Sequence, residues 1–185
     1  LQLFESTLRD VVQAKKLSAS KMTKLTDIAL KSMQNDTQLV SVLFRTHKTL
    51  SPAAKVSSLY VFDALARAAR NQVNKQGLVA NINAPQGNCA TFLLKVEGIL
   101  DSLYQDLVSS GHAELKEKAK KILDIWVKSN TFPSNVLGRL SQCLKGETEK
   151  GAYHYPYLFA KYIPHLCNPS HICRVSTVLI SENLN

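Results

Sequence analysis

A chain of 185 residues with 45% hydrophobic content is of single-domain size and can bury a substantial core, which argues against disorder. Only 7 Gly and 6 Pro disfavour a turn-rich β architecture, and no run approaches the roughly 18 consecutive apolar residues of a spanning helix. A formal net charge of +9 favours an anionic partner: nucleic acid, anionic lipid or a phosphorylated peptide.

The first residue is Leu1 rather than Met, as expected of a piece of a longer protein. No secretory signal is visible. Cys89, Cys143, Cys167 and Cys173 are scattered through an intracellular-looking sequence, so free thiols are expected.

Helical periodicity recurs along the chain. Residues 2–14 carry Leu3, Phe4, Leu8, Val11 and Val12 on one side. Residues 18–34 carry Met22, Leu25, Ile28, Ala29 and Met33, with Ser18 as N-cap and Leu17 and Met22 at the spacing of a hydrophobic staple. A third helix is expected over 36–49, around Leu39, Val40, Val42, Leu43 and Phe44, capped by Asp36. A fourth starts in "LSPAAK", with Ser51 as cap and Pro52 in the first turn, and runs to about Asn74. Residues 75–87 read as a loop, 88–109 and 113–129 as two further helices, and 133–145 as the last. Seven amphipathic helices with short links argue for an antiparallel stack or superhelix. No fixed-period repeat is present.

After Lys145 the composition shifts towards Tyr and His with few charges. Residues 1–145 are therefore expected to form the domain, and 146–185 a poorly ordered appendage. "HLCNPSHIC" brings His165, Cys167, His171 and Cys173 close in sequence, but that spacing is unusual for zinc, and no metal or other cofactor is expected.

Three surface patterns carry functional weight. On the fourth helix, Tyr60, Asp63, Arg67 and Arg70 share one face between apolar lines. They form either a solvated stripe with an Asp63–Arg67 pair or the floor of a groove in which Asp63 accepts hydrogen bonds. If Asp63 serves a ligand, Asp63→Asn is expected to leave stability almost unchanged. On the sixth helix, Leu115, Ala119, Ile122 and Trp126 make a core line beside Lys118, Lys121, Ile125 and Lys128. That second line is either a solubilising face or positive charge beside an apolar pocket. In "KKLSASKMTKL", Ser18, Lys21 and their neighbours crowd a helix start, which is either ordinary capping or a place for a phosphate.

Together "LSASKMTKLT" (17–26), "SSLYVFDALAR" (57–67) and "KKILDIWVKSNTF" (120–132) resemble the CTD-interacting domain, or CID, family, which binds the C-terminal heptad repeats of RNA polymerase II. The likeness runs from about Phe4 to Leu144. It is strongest to fungal members that act in transcription termination and carry an RNA-binding domain downstream. The resemblance implies an all-α right-handed superhelix of seven to eight helices, related to VHS and ENTH folds. Its groove lies between the second, fourth and seventh helices of the family. By carry-over, Asp63 hydrogen-bonds the heptad tyrosine hydroxyl and Tyr60 lines the groove beside it. Met22, Ile122 and Ile125 receive tyrosine and proline rings, and Arg67 takes a basic position on the fourth helix. Ser18, Lys21 and Lys121 lie where phosphate is contacted. Lys121 stands where many members carry arginine, and Ala14 where many carry lysine.

The resemblance thus implies a nuclear, monomeric, non-enzymatic phosphopeptide-binding module that couples transcription to termination and RNA 3′-end processing. It implies no membrane binding, with RNA contacted through a separate domain. The alternative is a trafficking adaptor of similar fold that takes sorting motifs or anionic lipid. No catalytic set or RNA-binding signature stands out.

Overall fold

The computed structural model describes residues 1–146. They fold into helices α1 (Gln2–Val12), α2 (Ala19–Lys31), α3 (Asp36–Thr49), α4 (Pro52–Gln76), α5 (Cys89–Ser109), α6 (Ala113–Lys128) and α7 (Ser134–Lys145), with a 3-10 turn at Met33–Asn35. No strand and no eighth α-helix occurs among the described residues. The architecture is an all-α superhelix. His165, Cys167, His171 and Cys173, whose spacing is unusual for zinc, lie outside the described residues.

Local chemistry explains several helix ends. Ser18 caps α2, its Oγ accepting the Lys21 N–H at 3.5 Å. Asn88 and Thr91 form a reciprocal capping box on α5: Asn88 Oδ1 accepts from Ala90 and Thr91 N–H, and Asn88 N–H donates to Thr91 Oγ1 at 2.7 Å. Gly77, at φ +61°, closes α4 in the left-handed conformation.

Two expected caps are corrected. Ser51 occupies the cap position of α4 but makes no side-chain cap bond. Asp36 is not the N-cap of α3; Asn35 holds that place. Asp36 is buried and its Oδ1 meets Lys95 Nζ of α5 at 2.6 Å, so a non-local ion pair claims the carboxylate. Leu3, assigned to the apolar side of α1, is exposed.

The two longest helices organise the core. α4 packs against α1, α2, α3, α5 and α6, and α5 against α3, α4, α6 and α7. Their shared interior holds Leu59, Phe62, Leu65, Phe92, Val96, Leu100 and Tyr104, all buried. α2 and α6 each pack on α4 without forming a comparable packed pair with one another. That leaves α4 as the shared wall between them.

Candidate functional site

Asp63 sits where α6 crosses α4, and it is only 4% exposed. Its Oδ1 accepts from Arg67 Nε at 2.8 Å and from the Trp126 indole Nε1–H at 3.0 Å, and its Oδ2 accepts from the Arg67 guanidinium at 2.6 Å. Helix spacing supplies the Arg67 fork. Tertiary packing supplies the indole. A solvated stripe is therefore not what forms: Trp126, fully buried, covers the carboxylate. Three donors would lose their charged acceptor in Asp63→Asn, which runs against the expectation that stability barely changes if Asp63 serves a ligand.

The remaining ring of contacts fixes the indole. Trp126 meets Phe132 edge-on, with centroids 5.0 Å apart, and lies 6.1 Å from the Tyr104 ring. Tyr104 OH donates to Ala119 O at 3.2 Å, and burial pushes the phenol well above its ordinary pKa. Asn130, at φ +47°, turns the chain after α6, and Thr131 N–H returns to Trp126 O at 3.1 Å. Arg70 Nε then donates to Thr131 O at 2.9 Å, which joins α4 to the α6–α7 link. The hydrogen bond to Asp63 holds the Arg67 guanidinium above its usual range, against a smaller opposing effect of burial.

The other expected residues divide by exposure. Tyr60 and Met22 are half-buried, packed on the edge of the core from α4 and α2. Ile125 is 39% exposed on α6. Ile122 is not a surface residue: it is 0% exposed, so it cannot touch a ligand directly and its place is in the core beneath Ile125. Lys21 and Lys121 are exposed and form no ion pair among the described residues. Ser18 is half-buried, its Oγ also 2.9 Å from Ser20 Oγ.

Trp126 is the residue that sequence reasoning missed. The spacing on α6 marks it only as core, although a buried indole N–H calls for an acceptor.

Elsewhere the surface offers less chemistry. An open concavity of about 510 Å³ lies between the ends of α2 and α4 and the start of α5, and it contains none of the residues above. No cluster of metal-ligating side chains occurs among the described residues, and none of their helices is long and apolar enough to cross a membrane. Burial raises the pKa of the Cys89 and Cys143 thiols, which are free.

Against known proteins, the profile of the CID domain family matches residues 2–140. The chain belongs to the CID domain family. CIDs are interaction domains. Among curated relatives, this CID is 27% identical over 129 residues to the Rpb7-binding protein seb1 of Schizosaccharomyces pombe, covering 70% of this chain and 21% of that protein. It is 26% identical over 130 residues to the SR-related and CTD-associated factor 8 of Rattus norvegicus, covering 70% of this chain and 9% of that one. The chain thus spans about a fifth of one of these relatives and about a tenth of the other.

Solved structures agree in fold. The CTD-interacting domain of Seb1 from S. pombe superposes with a TM-score of 0.70 at 26% identity, covering 79% of this chain and 96% of that one. Yeast Nrd1 CID in complex with Sen1 NIM3 gives 0.69 at 26% identity, covering 77% and 98%. The RNA polymerase II CTD-interacting domain of Nrd1 gives 0.65 at 26% identity, covering 80% and 99%.

Proposed function

We propose that residues 1–145 of this CID form a module that binds phosphorylated heptad repeats of the RNA polymerase II C-terminal domain. Through that contact it couples transcription to termination and RNA 3′-end processing in the nucleus. One observation carries the reading: membership of the CID family across residues 2–140, with Tyr60, Asp63, Met22 and Ile125 on the α2, α4 and α6 elements that meet at α4. In this reading Asp63 takes the heptad tyrosine hydroxyl on its Oδ2, which has one protein donor where Oδ1 has two. Tyr60, Met22 and Ile125 supply apolar contact, and Ile122 supports Ile125 from within the core. Arg67 acts through Asp63. Ser18, Lys21 and Lys121 face the phosphate, with lysine giving charge without the bidentate fork of arginine.

Fluorescence anisotropy tests this with two-repeat heptad peptides: unmodified, phosphorylated on the second-position serine, and phosphorylated on the fifth. The expected result is phosphate-dependent, salt-sensitive binding that weakens in Lys21→Ala, Lys121→Ala or Ile125→Ala. Folded protein that ignores every peptide and instead pellets with anionic liposomes would replace this reading with the lipid-binding adaptor. A second peptide class is favoured by the Nrd1 CID solved in complex with Sen1 NIM3. A peptide of that kind is expected to compete for the same face.

A further inference from the structure

We infer that Trp126 is a positioning residue for the peptide site, acting through the Asp63 carboxylate; this rests on the reading above. An ionised carboxylate is acceptor-only, with about four lone-pair positions. Three are occupied in the structure. Trp126 Nε1 and Arg67 Nε both reach Oδ1, and the Arg67 guanidinium reaches Oδ2. The one position left is on Oδ2.

The two donors on Oδ1 come from different helices, α6 and α4. Together they hold the carboxyl plane about its last torsion, which is otherwise broad and two-fold. Arg67 lies on the same helix as Asp63 and has a half-exposed side chain, so it can follow the carboxylate if that group turns. Trp126 cannot follow. It is 0% exposed and wedged against Phe132 and Tyr104. The indole N–H is therefore the fixed reference. It keeps the open position on Oδ2, where a single neutral hydroxyl can donate while Arg67 already balances the carboxylate charge. Removing that N–H frees the carboxylate to turn and to offer the lone pair of a misdirected oxygen. Recognition of the hydroxyl, rather than of the aromatic ring that carries it, is what Trp126 supports.

The chain has a single Trp, so benzothienylalanine can replace it residue-specifically. Sulfur then stands in for the indole N–H and the shape is kept, which avoids the cavity of Trp126→Phe. Heptad peptides with tyrosine, or with phenylalanine in its place, are titrated by anisotropy against both proteins. The unmodified protein is expected to prefer tyrosine by about tenfold or more, the value of one hydrogen bond to a charged group. In the benzothienyl protein the preference is expected to fall to within about threefold, with affinity for the phenylalanine peptide unchanged. Equal loss for both peptides would mean that Trp126 is merely structural and would overturn the assignment, as would an unchanged preference.

A peptide-free readout separates this inference from the reading beneath it. The lone indole signal in a ¹H–¹⁵N spectrum is expected to be protected from exchange, and to lose that protection in Asp63→Asn while the Trp126 ring contacts persist. If the unmodified protein binds neither peptide, the heptad reading falls and the positioning role with it, while a protected indole still reports the Asp63 bond. An unprotected indole with tight heptad binding overturns the positioning role alone.

Discussion

Asp63→Asn offers the sharpest test of how α4 and α6 are joined. The amide keeps the size of the carboxylate and removes its charge. Its oxygen can still accept the Trp126 N–H, now at 3.0 Å from Oδ1, but its NH2 then faces the Arg67 guanidinium where Oδ2 stood at 2.6 Å. The opposite flip satisfies only the terminal N–H of Arg67 and leaves both Arg67 Nε–H and the buried indole donor facing a donor, at about 1–3 kcal/mol for the buried one. Breaking a fully buried pair by one partner costs about 3–5 kcal/mol. The Arg67 side chain is 45% exposed and can swing into water, so the screened loss belongs lower, at about 2 kcal/mol. Urea denaturation followed by the fluorescence of the single Trp measures it directly, since the probe is the partner. A loss below about 0.5 kcal/mol, the range of ordinary surface changes, would refute the argument that Asp63 joins the helices. Arg67→Met provides the cycle: the double variant is expected to cost less than the sum of the singles.

His47 is 0% exposed, with Nδ1 3.2 Å from Ser58 Oγ. Burial, aided by Lys55 and Lys48 and opposed by Asp106, lowers its pKa to about 4. The unfolded chain takes up the proton first, so this contribution is complete above pH 6.5 and is lost as pH falls towards 4. It reaches roughly 3 kcal/mol, and urea midpoints at pH 7.5 and 4.5 are expected to differ less in His47→Gln. Gly87→Ala would drive a Cβ into the Asp36 carboxyl group and displace the buried pair with Lys95; a thermal melt is expected to show a loss of about 3 kcal/mol. Ile122→Ala and Ile125→Ala are expected to separate stability from binding. The first, fully buried, costs about 2–5 kcal/mol. The second, 39% exposed, stays within about 0.5 kcal/mol and weakens the heptad peptide in anisotropy.

Most of this fold was legible because its helices advertise themselves locally. Ser18 and Pro52 mark starts that any reading of helix chemistry finds, while α4 runs on to Gln76, past the end expected near Asn74. The 3-10 turn at Met33–Asn35 was not legible, since three residues carry no period. Asp36 was misread for a related reason: an acid before an apolar run looks like a cap, and nothing local announces Lys95, 59 residues away. Face arithmetic placed Asp63 on the right line of α4 but could not say what covers that line. Trp126 is 63 residues further on. Ile122 and Ile125 are neighbours on α6, one turn apart, and the core boundary passes between them. Spacing gives the face of a residue; only packing gives its depth.

The bond from Arg70 to Thr131 O has a further consequence. With the Asp63–Trp126 bond, it ties α4 to α6 and to the link that follows α6, at two points about 10 Å apart along α4. One tie would act as a pivot. Two resist both rotation and sliding, so the α6 side of α4 cannot swing away without breaking one of them. If the proposed peptide binds there, it meets that side of the groove already set, and the cost of ordering falls on the peptide.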